Sequence, residues 1–216
     1  MTLLVKICGL STPDTLDVTL DAGADMVGFV FFPPSPRNIS FDQARLLGEH
    51  VKGRARKVAL TVDADDAHLD KIIEALKPDM LQLHGHETPQ RVAAVRESFG
   101  LPVMKALAIE TKTDLAAIPN YIVADRLLFD ARPPREATRP GGLGKPFDWH
   151  LLENLDLSIP FMLSGGLHAG NVAEALAITR APGVDVSSGV ESAPGVKDVE
   201  KIRAFIRAAR SAKVPA

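Results

Sequence analysis

The chain has 216 residues and a formal net charge of −2, with 46% hydrophobic and 24% charged residues. This is ordinary globular usage with enough apolar material for one sizeable core, which sets aside a disordered chain. The near-neutral balance offers no concentrated basic face for nucleic acid or an acidic membrane, so a small, locally compensated ligand is the expected partner.

Cys8 is the one cysteine, which excludes an intrachain disulfide or a zinc site built of several cysteines and fits a reducing compartment. The first nine residues lack the charged start of a signal peptide, and no run approaches the roughly 20 apolar residues that span a bilayer. A cytoplasmic protein is expected, with no membrane, nucleic-acid or obligate protein partner.

In chain order, short apolar runs suited to buried parallel strands occur at residues 3–8, 26–32, 57–62, 79–84, 102–107, 126–130, 160–164 and 184–188. Segments with helical spacing lie between them. The first covers residues 12–22, with Pro13 at the first helical position, Leu16 and Leu20 one turn apart, and Gly23 placed to stop it. A second, over 88–99, repeats that grammar with Thr88 as cap, Pro89 behind it and Gly100 as terminator. Apolar stripes at Leu69/Ile72/Ile73/Leu76, Val172/Leu176 and Ile202/Phe205/Ile206 read as core faces.

Strict strand–helix alternation calls for a parallel sheet, and eight such units predict a single-domain (β/α)8 barrel over residues 1–216. The alternative is an open doubly wound sheet, but Lys6-Ile7-Cys8-Gly9-Leu10 stands where its dinucleotide fingerprint would fall. The long, Pro- and Gly-rich segment from Arg132 to Gly144 reads as a lid or a solvated connector.

Barrels of this kind hold their active sites at the C-terminal ends of the strands. The polar strand ends are Cys8, Arg37 beyond the second strand, Gln82 and His84, Lys105, Asp130, Ser164, and Asp185 with Ser187. Residues two apart share a face, so Lys6 with Cys8, Gln82 with His84, Leu128 with Asp130, and Asp185 with Ser187 can each point inward. The strongest local signal is the pair of loops Ser164-Gly165-Gly166 and Ser187-Ser188-Gly189, which follow the last two strands. Glycines let backbone N–H groups approach an anion, and this position is a frequent phosphate site in the architecture. Cys8 is either a small buried hydrophobe or a base, if positive groups stabilise its thiolate. Asp130 is either a loop anchor or a general acid. Arg37 offers a bidentate donor for a ligand carboxylate or a surface ion pair. His84 is a ligand contact or a polar wall residue.

Seven strings, in one order, carry a family resemblance: Lys6-Ile7-Cys8-Gly9-Leu10; Gly28-Phe29-Val30-Phe31 with Ser35-Pro36-Arg37; Leu81-Gln82-Leu83-His84-Gly85; Leu128-Phe129-Asp130; Gly141-Gly142-Leu143-Gly144 with Phe147-Asp148-Trp149; Ser164-Gly165-Gly166-Leu167; and Val184-Asp185-Val186-Ser187-Ser188-Gly189-Val190-Glu191. In these the chain resembles the phosphoribosylanthranilate isomerases along nearly its whole length; Leu143 departs from them, since relatives often carry threonine there. The resemblance implies an Amadori rearrangement within tryptophan synthesis, with Asp130 protonating the furanose ring oxygen and Cys8 removing the C2′ proton. It also implies that Arg37 holds the anthranilate carboxylate, Asp185 a sugar hydroxyl and the two glycine loops the phosphate, with no metal or organic cofactor. Other readings are a different phosphosugar barrel, such as an indole-glycerol-phosphate synthase or a ribulose-phosphate epimerase, and a non-catalytic phosphometabolite-binding protein. Binding alone requires neither Cys8 nor Asp130.

Overall fold

The computed structural model describes residues 2–132, 141 and 146–212. Eight parallel strands close in sequence order: β1 (Leu4–Cys8), β2 (Met26–Phe31), β3 (Arg56–Thr61), β4 (Met80–Leu83), β5 (Val103–Ile109), β6 (Arg126–Ala131), β7 (Phe161–Leu163) and β8 (Gly183–Val186), which returns to pair with β1. Each coincides with one of the eight apolar runs. Closure leaves no sheet edge unpaired, so every strand finds partners on both sides.

Alternation sorts the side chains. Met26, Val58, Met80, Met104, Ala106, Leu128 and Met162 point inward and form a separate apolar plug, with Leu4 against it. Val5, Ile7, Val27, Phe29, Leu81, Leu127, Phe129 and Val184 point outward into the core shared with the helices. Unbranched methionines suit the inner plug because they adapt to the irregular space at a barrel axis.

The helices begin and end where local chemistry dictates. Helix α1 (Pro13–Asp21) starts at Thr12, whose hydroxyl accepts from Thr15 N, and α2 (Phe41–Val51) starts with a Ser40/Gln43 capping box. Helix α3 (Asp66–Leu76) is capped by Asp65, and α4 (Pro89–Phe99) runs from Thr88 to Gly100, a left-handed residue at φ 62°. Helices α5 (Val172–Thr179) and α6 (Val199–Ser211) complete the ring, and α6 buries Ile202, Phe205, Ile206 and Ala209. Among the described residues, no helix is long and apolar enough to cross a membrane.

Strand–helix alternation is less strict than the sequence predicts. The β5–β6 crossover contains a 3-10 segment, Lys112–Tyr121, in which only Ile118 is buried and Pro119 removes a backbone donor. Leu115 and Tyr121 pack only partly against the core, and the ring of Pro119 blocks an α-helical bond in the middle of the segment. The helix expected near Phe147 is a single 3-10 turn, Trp149–Leu152, which buries Trp149 and Leu152. After β8 comes a further 3-10 turn, Ser188–Val190, and a small hairpin, β9 (Glu191–Ala193) with β10 (Val196–Lys197). The expected lid lies mostly at 133–140 and 142–145, outside the described residues, and Leu143 with it.

Lys105 also departs from the expected layer. Its neighbours Met104 and Ala106 point into the barrel, so Lys105 points out, where its Nζ meets Glu87 Oε2 at 2.7 Å and the Gly85 carbonyl at 2.7 Å. Glu87 in turn accepts from Gly85 N and Asp63 N, which ties the loop after β4 to the loop after β3. Removing one member of a buried pair leaves an uncompensated charge. Lys105→Met is therefore expected to cost about 3–5 kcal/mol of stability, and Lys105→Met/Glu87→Gln less, as read by urea denaturation.

Candidate active site

The inward register that is apolar low in the barrel turns polar at its C-terminal mouth. On β1 the inward sequence is Leu4, Lys6, Cys8; on β4 it passes from Met80 to Gln82 and then His84; on β6 from Leu128 to Asp130; on β7 from Met162 to Ser164. Of these, Lys6, Cys8, Gln82, Asp130 and Ser164 are buried, as is Asp185 on β8.

Cys8 stands beside a buried charge pair. Lys6 Nζ donates to Asp185 Oδ1 at 2.9 Å across the β1–β8 pairing. Gly28 on β2 leaves the room this requires: a Cβ there would lie 2.9 Å from Cys8 Sγ and 3.2 Å from Lys6 Nζ. Burial pushes the Cys8 thiol above its ordinary value, opposed by the Lys6 ammonium, reinforced by Asp185, and opposed again by Lys197. Burial alone would depress the Lys6 ammonium, but Asp185 and Cys8 outweigh it and hold it above its ordinary value. Ser187 Oγ donates to the Cys8 carbonyl at 3.0 Å, coupling the end of β1 to the loop after β8.

The second cluster faces it from β4 and β6. Gln82 Nε2 lies 2.9 Å from His84 Nδ1, and His84 Nε2 lies 3.2 Å from Asp130 Oδ2. Asp130 Oδ1 accepts from Ala131 N at 2.8 Å. A Cβ on Gly141 would lie 2.6 Å from Asp130 Oδ2 and 3.0 Å from His84 Nε2, so the chain segment at Gly141 passes directly over this pair.

The two glycine loops touch one another between these clusters. Gly165 has φ 85°, and a Cβ on it would lie 2.6 Å from Ala131 N; a Cβ on Gly189 would overlap the Leu167 carbonyl oxygen. Each loop is held from behind through a carbonyl. Asn171 Nδ2 donates to Gly166 O at 3.0 Å, and Lys197 Nζ donates to Ser187 O at 2.9 Å.

Arg37 is buried beyond β2, and Glu191 takes one edge of its guanidinium plane with Nε–Oε1 and Nη2–Oε2 both at 2.7 Å. Lys197 Nζ adds a 2.8 Å bond to the same carboxylate. Burial alone would raise the Glu191 carboxyl, but Arg37 and Lys197 outweigh it and hold it below its ordinary value. Burial lowers the Lys197 ammonium more than Glu191 restores it.

The structure thus brings Cys8, Gln82, His84, Asp130, Ser164, Gly165, Gly166, Asp185, Ser187, Ser188 and Gly189 to one mouth, with Arg37 at its edge. Sequence reasoning missed Glu191 and Lys197 as partners of Arg37. Glu191 lies 154 positions from Arg37, and its one signal was its place at the end of the Val184–Glu191 string.

A closed parallel barrel with a buried thiol, a buried carboxyl and paired glycine loops at its C-terminal mouth places the chain among enzymes of the (β/α)8 class. A profile of the N-(5′-phosphoribosyl)anthranilate isomerase family matches residues 5–208. The N-(5′-phosphoribosyl)anthranilate isomerase of Bradyrhizobium diazoefficiens is 70% identical over 98% of this chain and 95% of its own, and that of Nitrobacter hamburgensis 70% identical over 99% and 96%. The crystal structure of phosphoribosyl anthranilate isomerase from Thermotoga maritima superposes with a TM-score of 0.87 at 33% identity, covering 97% of this chain and 99% of that one. A solved complex of phosphoribosyl anthranilate isomerase with reduced 1-(o-carboxyphenylamino)-1-deoxyribulose 5-phosphate gives 0.83 at 30% identity, with 97% and 99% covered. The chain belongs to the N-(5′-phosphoribosyl)anthranilate isomerase family and is an isomerase of tryptophan biosynthesis.

Because the Glu191 carboxyl is depressed from its ordinary value of 4.5, its contribution to stability is complete above about pH 4.5 and is lost as pH falls through the folded value. Glu191→Gln is expected to lower the melting temperature at neutral pH. The gap to the unaltered protein should close below about pH 4.5, as scanning calorimetry at a series of pH values would show.

Proposed function

We propose that this mouth converts N-(5′-phosphoribosyl)anthranilate to 1-(2-carboxyphenylamino)-1-deoxyribulose 5-phosphate in the cytoplasm, with Asp130 as acid and Cys8 as base. The observation that carries the assignment is the strand order. On the shorter arc between β1, which ends in Cys8, and β6, which bears Asp130, lie only β8 and β7. A phosphate held by Ser164, Gly165, Gly166, Ser187, Ser188 and Gly189 is therefore anchored between acid and base, and the sugar extends across the mouth with one on each side.

The proton movements balance without a further reagent. Asp130 gives a proton to the ring oxygen as the C1′–O bond breaks and the nitrogen lone pair forms the C1′=N bond of a Schiff base. The Cys8 thiolate takes the C2′ proton, and the freed electron pair forms C1′=C2′ while the C=N π pair returns to nitrogen. The resulting enolamine moves its hydroxyl proton to C1′ and becomes the ketone. Donation and abstraction by positioned groups of this kind are each worth about 10²–10⁴ in rate.

The remaining residues orient the substrate. Arg37, set in its plane by Glu191, holds the anthranilate carboxylate through the bidentate geometry that guanidinium favours. Asp185, with Oδ1 engaged by Lys6, accepts a sugar hydroxyl. Gln82 and His84 line the acid side of the mouth.

Cys8→Ala and Asp130→Asn are each expected to lower kcat/KM by about 10²–10⁴ while phosphate-dependent thermal stabilisation persists. Turnover is followed through the loss of substrate fluorescence. Near-full turnover by Cys8→Ala would remove the assigned base, and ligand stabilisation without turnover in the unaltered protein would favour a binding protein.

A further inference from the structure

We propose that Lys6 is a positioning residue for the proton abstraction: its ammonium, moored by Asp185, supplies the positive charge beside Cys8 Sγ that the thiolate requires. The inference rests on the reading of Cys8 as base.

Three observations carry it. Lys6 and Cys8 stand two apart on the inward face of β1, so the strand itself delivers both to one place. Lys6 is fully buried, and its Nζ and Cys8 Sγ both lie within 3.2 Å of the one point above Gly28 that a side chain on β2 would fill. Asp185 then fixes Nζ from β8 at 2.9 Å.

An ion pair kept for stability explains this arrangement poorly. A buried Lys–Asp pair contributes little over well-packed apolar residues of similar volume, because desolvation offsets the attraction. The layer directly below already uses that apolar solution, with Met26, Met80, Met104, Leu128 and Met162. Lys6 instead interrupts the plug at the level where a thiol must lose its proton.

The charges facing Cys8 are Lys6 on its own strand, Asp185 on β8 and Lys197 on β10. Burial and Asp185 favour the thiol, while Lys6 and Lys197 favour the thiolate. Asp185 thus has two effects: it disfavours the thiolate directly, and it keeps the lysine charged where burial would otherwise neutralise it.

Cys8 is the one cysteine of the chain, so the ultraviolet absorbance of its thiolate can be titrated in the whole, ligand-free protein as the difference from Cys8→Ala, which subtracts the ionisation of Tyr121. Lys6→Met is expected to raise the titration midpoint by about one unit or more, equivalent to about tenfold less thiolate at neutral pH. Lys6→Met leaves Asp185 unpaired and can fail to fold. The unaltered protein is therefore also compared with Lys6→Met/Asp185→Asn, where no orphan carboxylate remains; the double variant should still titrate higher, because at Cys8 the Lys6 charge outweighs that of Asp185.

The Cys8-dependent limb of the kcat/KM–pH profile should move with the titration in Lys6→Met and stay in place in Lys6→Arg. A Cys8 midpoint no higher in Lys6→Met/Asp185→Asn than in the unaltered protein overturns the proposal and leaves Cys8 as base untouched. Failure of the base assignment is read separately, from the turnover of Cys8→Ala.

Discussion

The structure depends on one geometric constraint: in a closed barrel of parallel strands, residues two apart face the axis together. Eight strands pairing in sequence order turn this alternation into layers. The lower layers are filled mainly by methionines, Val58, Ala106 and Leu128. One step further along the same strands come Lys6, Gln82, Asp130 and Asp185, and then Cys8 and His84. The site is therefore a change of chemistry along strands whose direction the core has already set. Residues from distant parts of the chain meet there because the barrel closes, without a dedicated scaffold of loops.

Placing charges at that depth is costly unless each is paired. The structure answers with three separate groupings: Lys6 with Asp185, Lys105 with Glu87, and Arg37 with Glu191 and Lys197. Each also fastens backbone. Lys105 and Glu87 tie together the loops after β3 and β4, the second of which follows His84. Lys197 bonds the carbonyl of Ser187 and so steadies a phosphate loop. Glu191 sets the plane of Arg37. Charge pairing of this kind trades little net stability for rigidity at the positions where a ligand must be held.

The sequence made some of this legible and hid the rest, for physical reasons. All eight strands were readable because strands buried on both faces are continuous apolar runs, and α1 and α4 because their caps, prolines and terminating glycines act locally. The β5–β6 crossover was not. Its apolar content matches that of segments that do form helices, and Pro119 was the one local feature against an α-helix. The outward turn of Lys105 was available from alternation with Met104 and Ala106, whereas the partners of Arg37 were not, since pairing across 154 positions leaves no local trace. The paired glycine loops after β7 and β8 could be read from glycine placement, but anthranilate entered only through family resemblance, because no residue pattern encodes an aromatic carboxylate by itself.

The deepest tension in the site concerns Cys8. In the proposed reaction, burial of Cys8 keeps water away from a Schiff base and an enolamine that it would intercept. The same burial favours the neutral thiol, the form that cannot act as base. A more exposed cysteine would ionise more readily and lose that protection. The barrel resolves the conflict with charge at short range: Lys6 and Lys197 oppose the desolvation, and Asp185 keeps Lys6 protonated at a depth where a lone lysine would give up its proton. The thiol nevertheless stays above its ordinary value, so Lys6 and Lys197 offset part of the desolvation and not all of it.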